Sequence, residues 1–448
     1  FGLGPRPGDY DAIKSDPVEY VRAQCFRPES AMITGLGSLA EIGGAFRDAD
    51  ETFKQTRRAE MEEGATDAVR AAADDARAAR RDLLLSTYRG EVLARFNHAV
   101  STNDPFIERL VLFWSDHFTV EADSMPAVRV LVGNFEREAI RPNVLGYFSD
   151  MLAAATTHPA MLIYLDNWRS IGPNSRIGRR RRIPAVNENL ARELLELHTL
   201  GVAGGYTQQD VIALAETLTG WTGGVARGSG NAAFDDRRHE FGPRTILGKT
   251  YMSRGQEQLL EVLPDLAIHP ATARHIATKM ARYFVSDNAP EALIEELTDT
   301  FLVTGGDLRE MALVLVESEH AWTGETSKTV PPYDFMVETI RATRAQIQDP
   351  RHVLNATRAL AQQVWSPPSP AGWPTEDDAF LGGDSLLERI DFSRTVAQRF
   401  ARVGRTQDLA KSLFGDALDP FVAEAIDRAE DQQQALVLLL MSPVFHRR

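Results

Sequence analysis

Two histidines fall on the apolar sides of amphipathic stretches. At 100° steps, 187–200 (NENLARELLELHTL) puts Leu190, Ala191, Leu194, Leu195 and Leu197 on one side of a helix, with His198 in their midst. Glu188, Asn189, Arg192, Glu193 and Glu196 fill the other side. The stretch from Pro105 to Phe118 repeats the arrangement, with Phe106, Leu110, Phe113, Trp114 and His117 on the apolar face and Ser115 and Asp116 off it. A buried histidine either donates to a core carbonyl or carboxylate, or works as general base or metal ligand in a dry site. Converging His and Asp/Glu side chains are how helical proteins build such sites. The catalytic candidates are therefore His117 and His198, with Asp166 and Glu193 to orient them. No HExxH, CxxC or EF-hand spacing occurs. The choice between acid–base groups and ligands of a divalent metal stays open.

Asp166, Asn167 and Arg169 end an apolar run, where they either cap a helix or line a pocket. Arg176, Arg179, Arg180, Arg181 and Arg182 form the one strongly basic stretch, ahead of a helix expected to start near Asn187. Guanidinium forks and a helix N-terminus both suit anions, so Arg169, Arg179, Arg180, Arg181 and Asn167 are the substrate-binding candidates. Without partners they would form a solvated loop. His239, beside Glu240 in a loop, joins them as a histidine expected to be exposed. Cys25 has no contextual sign of a nucleophile. Gly201 through Asp210 reads as helix punctuation, with Thr207 and Asp210 as a capping box that uses Asp in place of Glu.

The elements carrying these residues are mostly helices. Three- and four-residue spacing predicts them at 65–100, 105–118, 125–140, 143–156, 159–166, 187–200 and 207–219. It returns at 255–266, 270–284, 289–303, 307–319, 331–346, 352–364, 384–402, 407–414, 418–428 and 431–441. Residues 168–186 show no period and read as a loop. Residues 221–253 read as a long connection with a short hairpin at 244–251. A Pro-rich loop with Trp365 and Trp373 covers 365–378, and a loop of that length in a compact domain tends to be functional or disordered. The expected fold is mainly α, one large multi-helical unit. It divides into 1–220 with the site motifs, the insertion 221–253, and 254–448 packed with the first part.

Composition bounds the rest. Lys+Arg 49 against Asp+Glu 63 leaves a net charge of −14, a negative field that disfavours nucleic acid and anionic membranes. No apolar run approaches the 18 residues of a membrane span. A single cysteine allows no internal disulfide, which suits the cytoplasm and equally an exported protein that avoids thiols. Because the chain opens on Phe1, a preceding segment is expected, the place for any signal peptide.

Long motifs carry a resemblance. FWSDHFTV at 113–120, HPAMLIYLDNW at 158–168, GPNSRIGRRRR at 172–182 and NENLARELLELHTLGVAGGYTQQDV at 187–211 resemble a bacterial family numbered eighteen hundred among domains of unknown function. ETLTGWT at 216–222, TILGKTY at 245–251, TGGDLREM at 304–311 and SPPSPAGWP at 366–374 extend it over nearly the whole chain. The resemblance implies export to the periplasm or beyond and a sulfatase-like partner protein; it carries no catalytic residues. The opening FGLGPRPGD resembles a point slightly inside the family's start, which implies a preceding helix. Two functions compete. One is an exported, hydrolase-like enzyme, metal-assisted in one version, acting on an anionic small molecule or polysaccharide. The other is a non-catalytic binding or assembly protein with a protein partner.

Overall fold

The computed structural model describes residues 1–224, 233–322, 328–380, 382–400 and 404–448. Helices dominate, and among the described residues the paired strands are two short antiparallel ribbons. Two compact units interleave in sequence. The first comprises Phe1–Ile33, Val92–Asp116 and Ile276–Arg448; the second comprises Thr34–Glu91 and His117–His275. Their boundaries fall at neither 220 nor 254, and the 221–253 segment belongs to the second unit.

In the second unit, helix Pro126–Phe135 is buried along most of its length and packs on Leu39–Glu60 and Pro159–Tyr164. Apolar residues all round make such a helix a core element. Leu39–Glu60 is a 22-residue helix that the periodicity does not announce. Its start is a capping box in which Ser38 Oγ accepts from the Glu41 amide and Glu41 accepts in return. Two helices end in π-helical turns, Glu136–Ile140 and Leu194–His198. Gly133 lies where any Cβ would come within 2.5 Å of the Glu91 side chain. The close approach lets Glu91 take two bonds from Arg137, at 2.8 and 3.0 Å.

The Thr207–Asp210 capping box forms as expected. Arg244–Ile246 pairs with Lys249–Tyr251 as the expected hairpin, and Trp221–Thr222 pairs with Ala233–Phe234. The hairpin turn puts Leu247 and Gly248 at positive φ, and Asp210 accepts the Leu247 amide at 2.7 Å. The part of the connection at 225–232 lies outside the described residues. The expected loop at 168–186 is corrected. It contains a helix, Arg176–Arg181, started by Ser175 accepting from Gly178 at 3.0 Å. Local capping makes it, not amphipathic spacing, so periodicity had nothing to register.

In the first unit, Pro332–Thr343 is the central helix, buried almost throughout. Its Arg341 is 1% exposed and donates to the carbonyls of Gly4, Ala99, Val100 and Thr102. The guanidinium thus satisfies carbonyls that the end of helix Asp67–Ser101 leaves open. Glu291–Thr304 packs on Leu308–Glu317, and Gly383–Phe400 on Gln432–Leu440. The expected end of the 384–402 helix falls outside the described residues. No helix among those described is long and apolar enough to cross a membrane.

Candidate functional site

His117 and His198 do converge. Both are 2% exposed, and their ring centroids lie 6.1 Å apart in the second unit. A third histidine joins them, His275, 6.2 Å from His117. The arrangement follows from the π turn Leu194–His198. The last carbonyls of a helix lack intrahelical partners, and here Nε2–H of His275 donates to the Leu197 carbonyl and Nε2–H of His117 to that of His198, both at 3.1 Å. A carbonyl only accepts, so Nε2 of each ring carries a proton. Gly201 (φ 80°) follows, and a Cβ there would stand 2.9 Å from His275 Nδ1. His275 lay on a periodic helix with no neighbouring acid to single it out.

Backbone carbonyls hold His117 and His275. Asp166 pairs with Arg169 at 3.7 Å and sits at φ 58°. Glu193 is half-buried; burial and then Glu196 raise its pKa, against Arg192. Asn167 is 1% exposed and donates to the carbonyls of Leu218 and Trp221, while Asn187 and Asn189 donate to those of Asp166 and Leu165. These amides stitch the segments around 165 and 189 together. His239 corrects the expectation of an exposed loop histidine. It is 2% exposed, donates Nδ1–H to the Thr219 carbonyl at 2.9 Å and lies against Phe234 and Phe241. Burial lowers its pKa.

Arg179, Arg180 and Arg181 are exposed, as are Arg176 and Arg182, and none forms an ion pair with a described residue. Arg169 stacks on Trp168, 4.7 Å from the ring centre. Among the described residues no group of three or more His, Cys, Asp or Glu side chains is arranged to hold a metal ion. Cys25 is fully buried, and burial pushes its thiol up to about 12, which keeps it protonated and unreactive.

The first unit holds a group that the helical wheel hid. Asp116, off the apolar face of its helix, is partly exposed yet strongly desolvated. Burial lifts its pKa from 3.8 to about 6, against the Trp373 amide and the charges of Lys279 and Arg95. Burial also lowers the pKa of Lys279, which Asp116 opposes. The Pro-rich loop closes on this carboxylate, with the Trp373 amide donating to Asp116 Oδ1 at 2.8 Å. Gly372 makes that possible at φ 91°, since a Cβ would lie 2.7 Å from the Asp116 carbonyl. The Arg95 guanidinium lies 4.9 Å from the Tyr333 ring centre and 5.2 Å from that of Trp365. Trp365 itself is at φ 51°, a conformation rare for a bulky residue and concentrated at functional sites. The doubly tryptophan-bearing loop was the one sequence signal for this group.

The fold is mainly helical, and burial shifts the Asp116 carboxyl and the Lys279 amine each toward its neutral form. The chain belongs to the family described as Protein of unknown function (DUF1800), which matches residues 1–447. Neither a curated protein nor a solved structure is detectably similar to it.

Proposed function

We propose that this protein is an exported, hydrolase-like enzyme for an anionic substrate, with Asp116 as its proton-transfer group. One observation carries the reading: a desolvated carboxylate held by the Trp373 amide, with the charges of Lys279 and Arg95 bearing on it. An acid titrating at about 6 is populated in both forms near neutrality, where general acid–base catalysis is most efficient. The two cations would attract the substrate's charge. The ring N–H groups of His117 and His275 are engaged by carbonyls, which suits a positioning role better than proton transfer. An inert buried Cys25 is compatible with an oxidising compartment.

Turnover of 4-nitrophenyl phosphate or sulfate is expected to bend near pH 6, and Asp116→Asn to lower kcat by roughly 10²–10⁴. Turnover with the same rate and pH profile in the variant would overturn the assignment. Stability gives a second readout. The folded carboxyl holds its proton up to about 6 and the unfolded one to 3.8, so folding stability falls as pH rises between these values. Asn keeps the acceptor for Trp373 and avoids ionisation. Asp116→Asn is therefore expected to be more stable at pH 7 by about 1–3 kcal/mol, with the gap closing below about pH 4. Chemical denaturation at the two pH values checks this.

A second reading, a binding or assembly protein, is favoured by the exposed arginines of Arg176–Arg182, which pair with no acid among the described residues of an otherwise acidic chain. Crowded guanidinium groups suit a multivalent anion or an acidic partner face. Sulfate or phosphate is then expected to raise the Tm, by about 1 kcal/mol of linked stability at roughly ten times Kd. The same rise in Arg180→Gln/Arg181→Gln would remove this idea.

A further inference from the structure

Sequence motifs ending in Trp168 and Thr222 meet at a cavity of about 440 Å³ in the second unit, which neither reading above uses. That size is typical of small-molecule sites. Helix Leu39–Glu60 supplies Phe46, Arg47, Asp50, Glu51 and Lys54, and the long helix supplies Arg80. Ile163, Trp168 and the backbone at Gly223 and Gly224 form the facing wall, with Arg238 beside them. A Cβ at Gly223 would stand 2.6 Å from Ile163, so glycine there keeps that wall closed against helix Pro159–Tyr164.

The lining is apolar on its walls, with four cations and two acids at its charged positions. Phe46, Met125, Pro126, Ile163 and Trp168 provide the apolar surface. Four cationic side chains, Arg47, Lys54, Arg80 and Arg238, face two acids, Asp50 and Glu51. Asp50 is already engaged by Arg80 at 2.8 Å and Lys54 at 2.6 Å. Arg80 is held across the faces of Phe53 and Phe46, at 5.0 and 5.8 Å from the ring centres. Arg238 is anchored by its bond to the Trp168 carbonyl at 2.9 Å and pairs with Asp235 at 3.7 Å, while Arg47 pairs with Asp48 at 2.9 Å. The start of helix Pro126–Phe135 also lines the space, and no side chain caps it. The helix dipole at this start adds positive potential.

We propose that this cavity binds a small amphiphilic anion: a flat aromatic body against Phe46 and Trp168, with one carboxylate, sulfate or sulfonate toward Arg80 and Arg238. Apolar walls contribute the contact area, and the fixed cations select a charged ligand over its neutral analogue. The site holds whether or not Asp116 transfers protons.

Titration calorimetry on the full chain tests it, with 1-naphthalenesulfonate as probe and 1-naphthalenemethanol as its neutral counterpart. The sulfonate is expected to bind at one site, below about 1 mM and at least about tenfold tighter than the alcohol at low salt. Ala127→Trp, which fills the cavity from a partly exposed helix start, should abolish binding of both probes. Arg238→Gln should weaken the sulfonate several-fold and leave the alcohol unchanged. Each variant is first shown to keep the wild-type circular dichroism and Tm. Equal affinity for the two probes, undiminished binding to Ala127→Trp, or no sulfonate binding at about 1 mM would each overturn the proposal.

Discussion

Glu136→Ala is expected to destabilise the protein by about 3–5 kcal/mol. Glu136 is 1% exposed and Arg141 also 1%, and the guanidinium donates Nε–H and Nη2–H to one carboxylate oxygen at 3.0 and 2.7 Å. The same two residues are joined a second time, because the Arg141 amide donates to the Glu136 carbonyl across the π turn. Removing the carboxylate takes the opposite charge from a buried guanidinium that cannot lose its proton. Glu136→Gln, which keeps acceptors without the charge, should cost less. A Glu136→Met/Arg141→Met pair should recover most of the loss, since two apolar side chains carry no desolvation penalty. Urea unfolding midpoints measure all three. A Glu136→Ala cost under about 1 kcal/mol, or a double variant no better than the single, would sink the account.

Acidification should unfold the protein steeply, with His158 as one principal cause. Its Nδ1 accepts the Ala160 amide at 3.1 Å, capping helix Pro159–Tyr164, and its ring is buried 5.2 Å from that of Phe135. Burial lowers its pKa from 6.5 to about 3. The unfolded chain thus takes up a proton below 6.5 that the folded one refuses until about 3. Stability is fully present above 6.5 and falls with pH through this window, by about 1.4 kcal/mol per unit and roughly 3–5 kcal/mol in all. His158→Asn keeps a capping acceptor. It is expected to start less stable at pH 7 and to converge on the wild type as pH falls toward 4. Parallel stability curves between pH 7 and 4 would refute this. His446, lowered to about 4 by burial and Arg389, adds a slope of the same sign in the first unit.

The parts of the molecule that were legible are those with a local cause. Helices at 105–118, 207–219 and 307–319 announce themselves through spacing and caps, and the hairpin at 244–251 through alternation. The burial of His117 and His198 followed from the wheel alone. Leu39–Glu60 was missed although its Ser38–Glu41 capping box is written in the sequence, because its apolar face is thin and interrupted by Gly43 and Gly44. The helix within 168–186 was missed because a serine cap and the packing of Gly178 make it.

What the sequence determined by itself is a mainly helical, acidic chain, its family, and the burial of His117 and His198. Those properties depend on residues within a few turns of one another. Tertiary structure decided the rest. It gathered His275 with His117 and His198 around the open carbonyls of one π turn and closed a proline-rich loop on Asp116. It also left the arginines of Arg176–Arg182 without an acid partner among the described residues. Each outcome joins residues far apart in the chain, and desolvation, which sets their chemistry, depends on the packed surroundings that only the folded chain supplies.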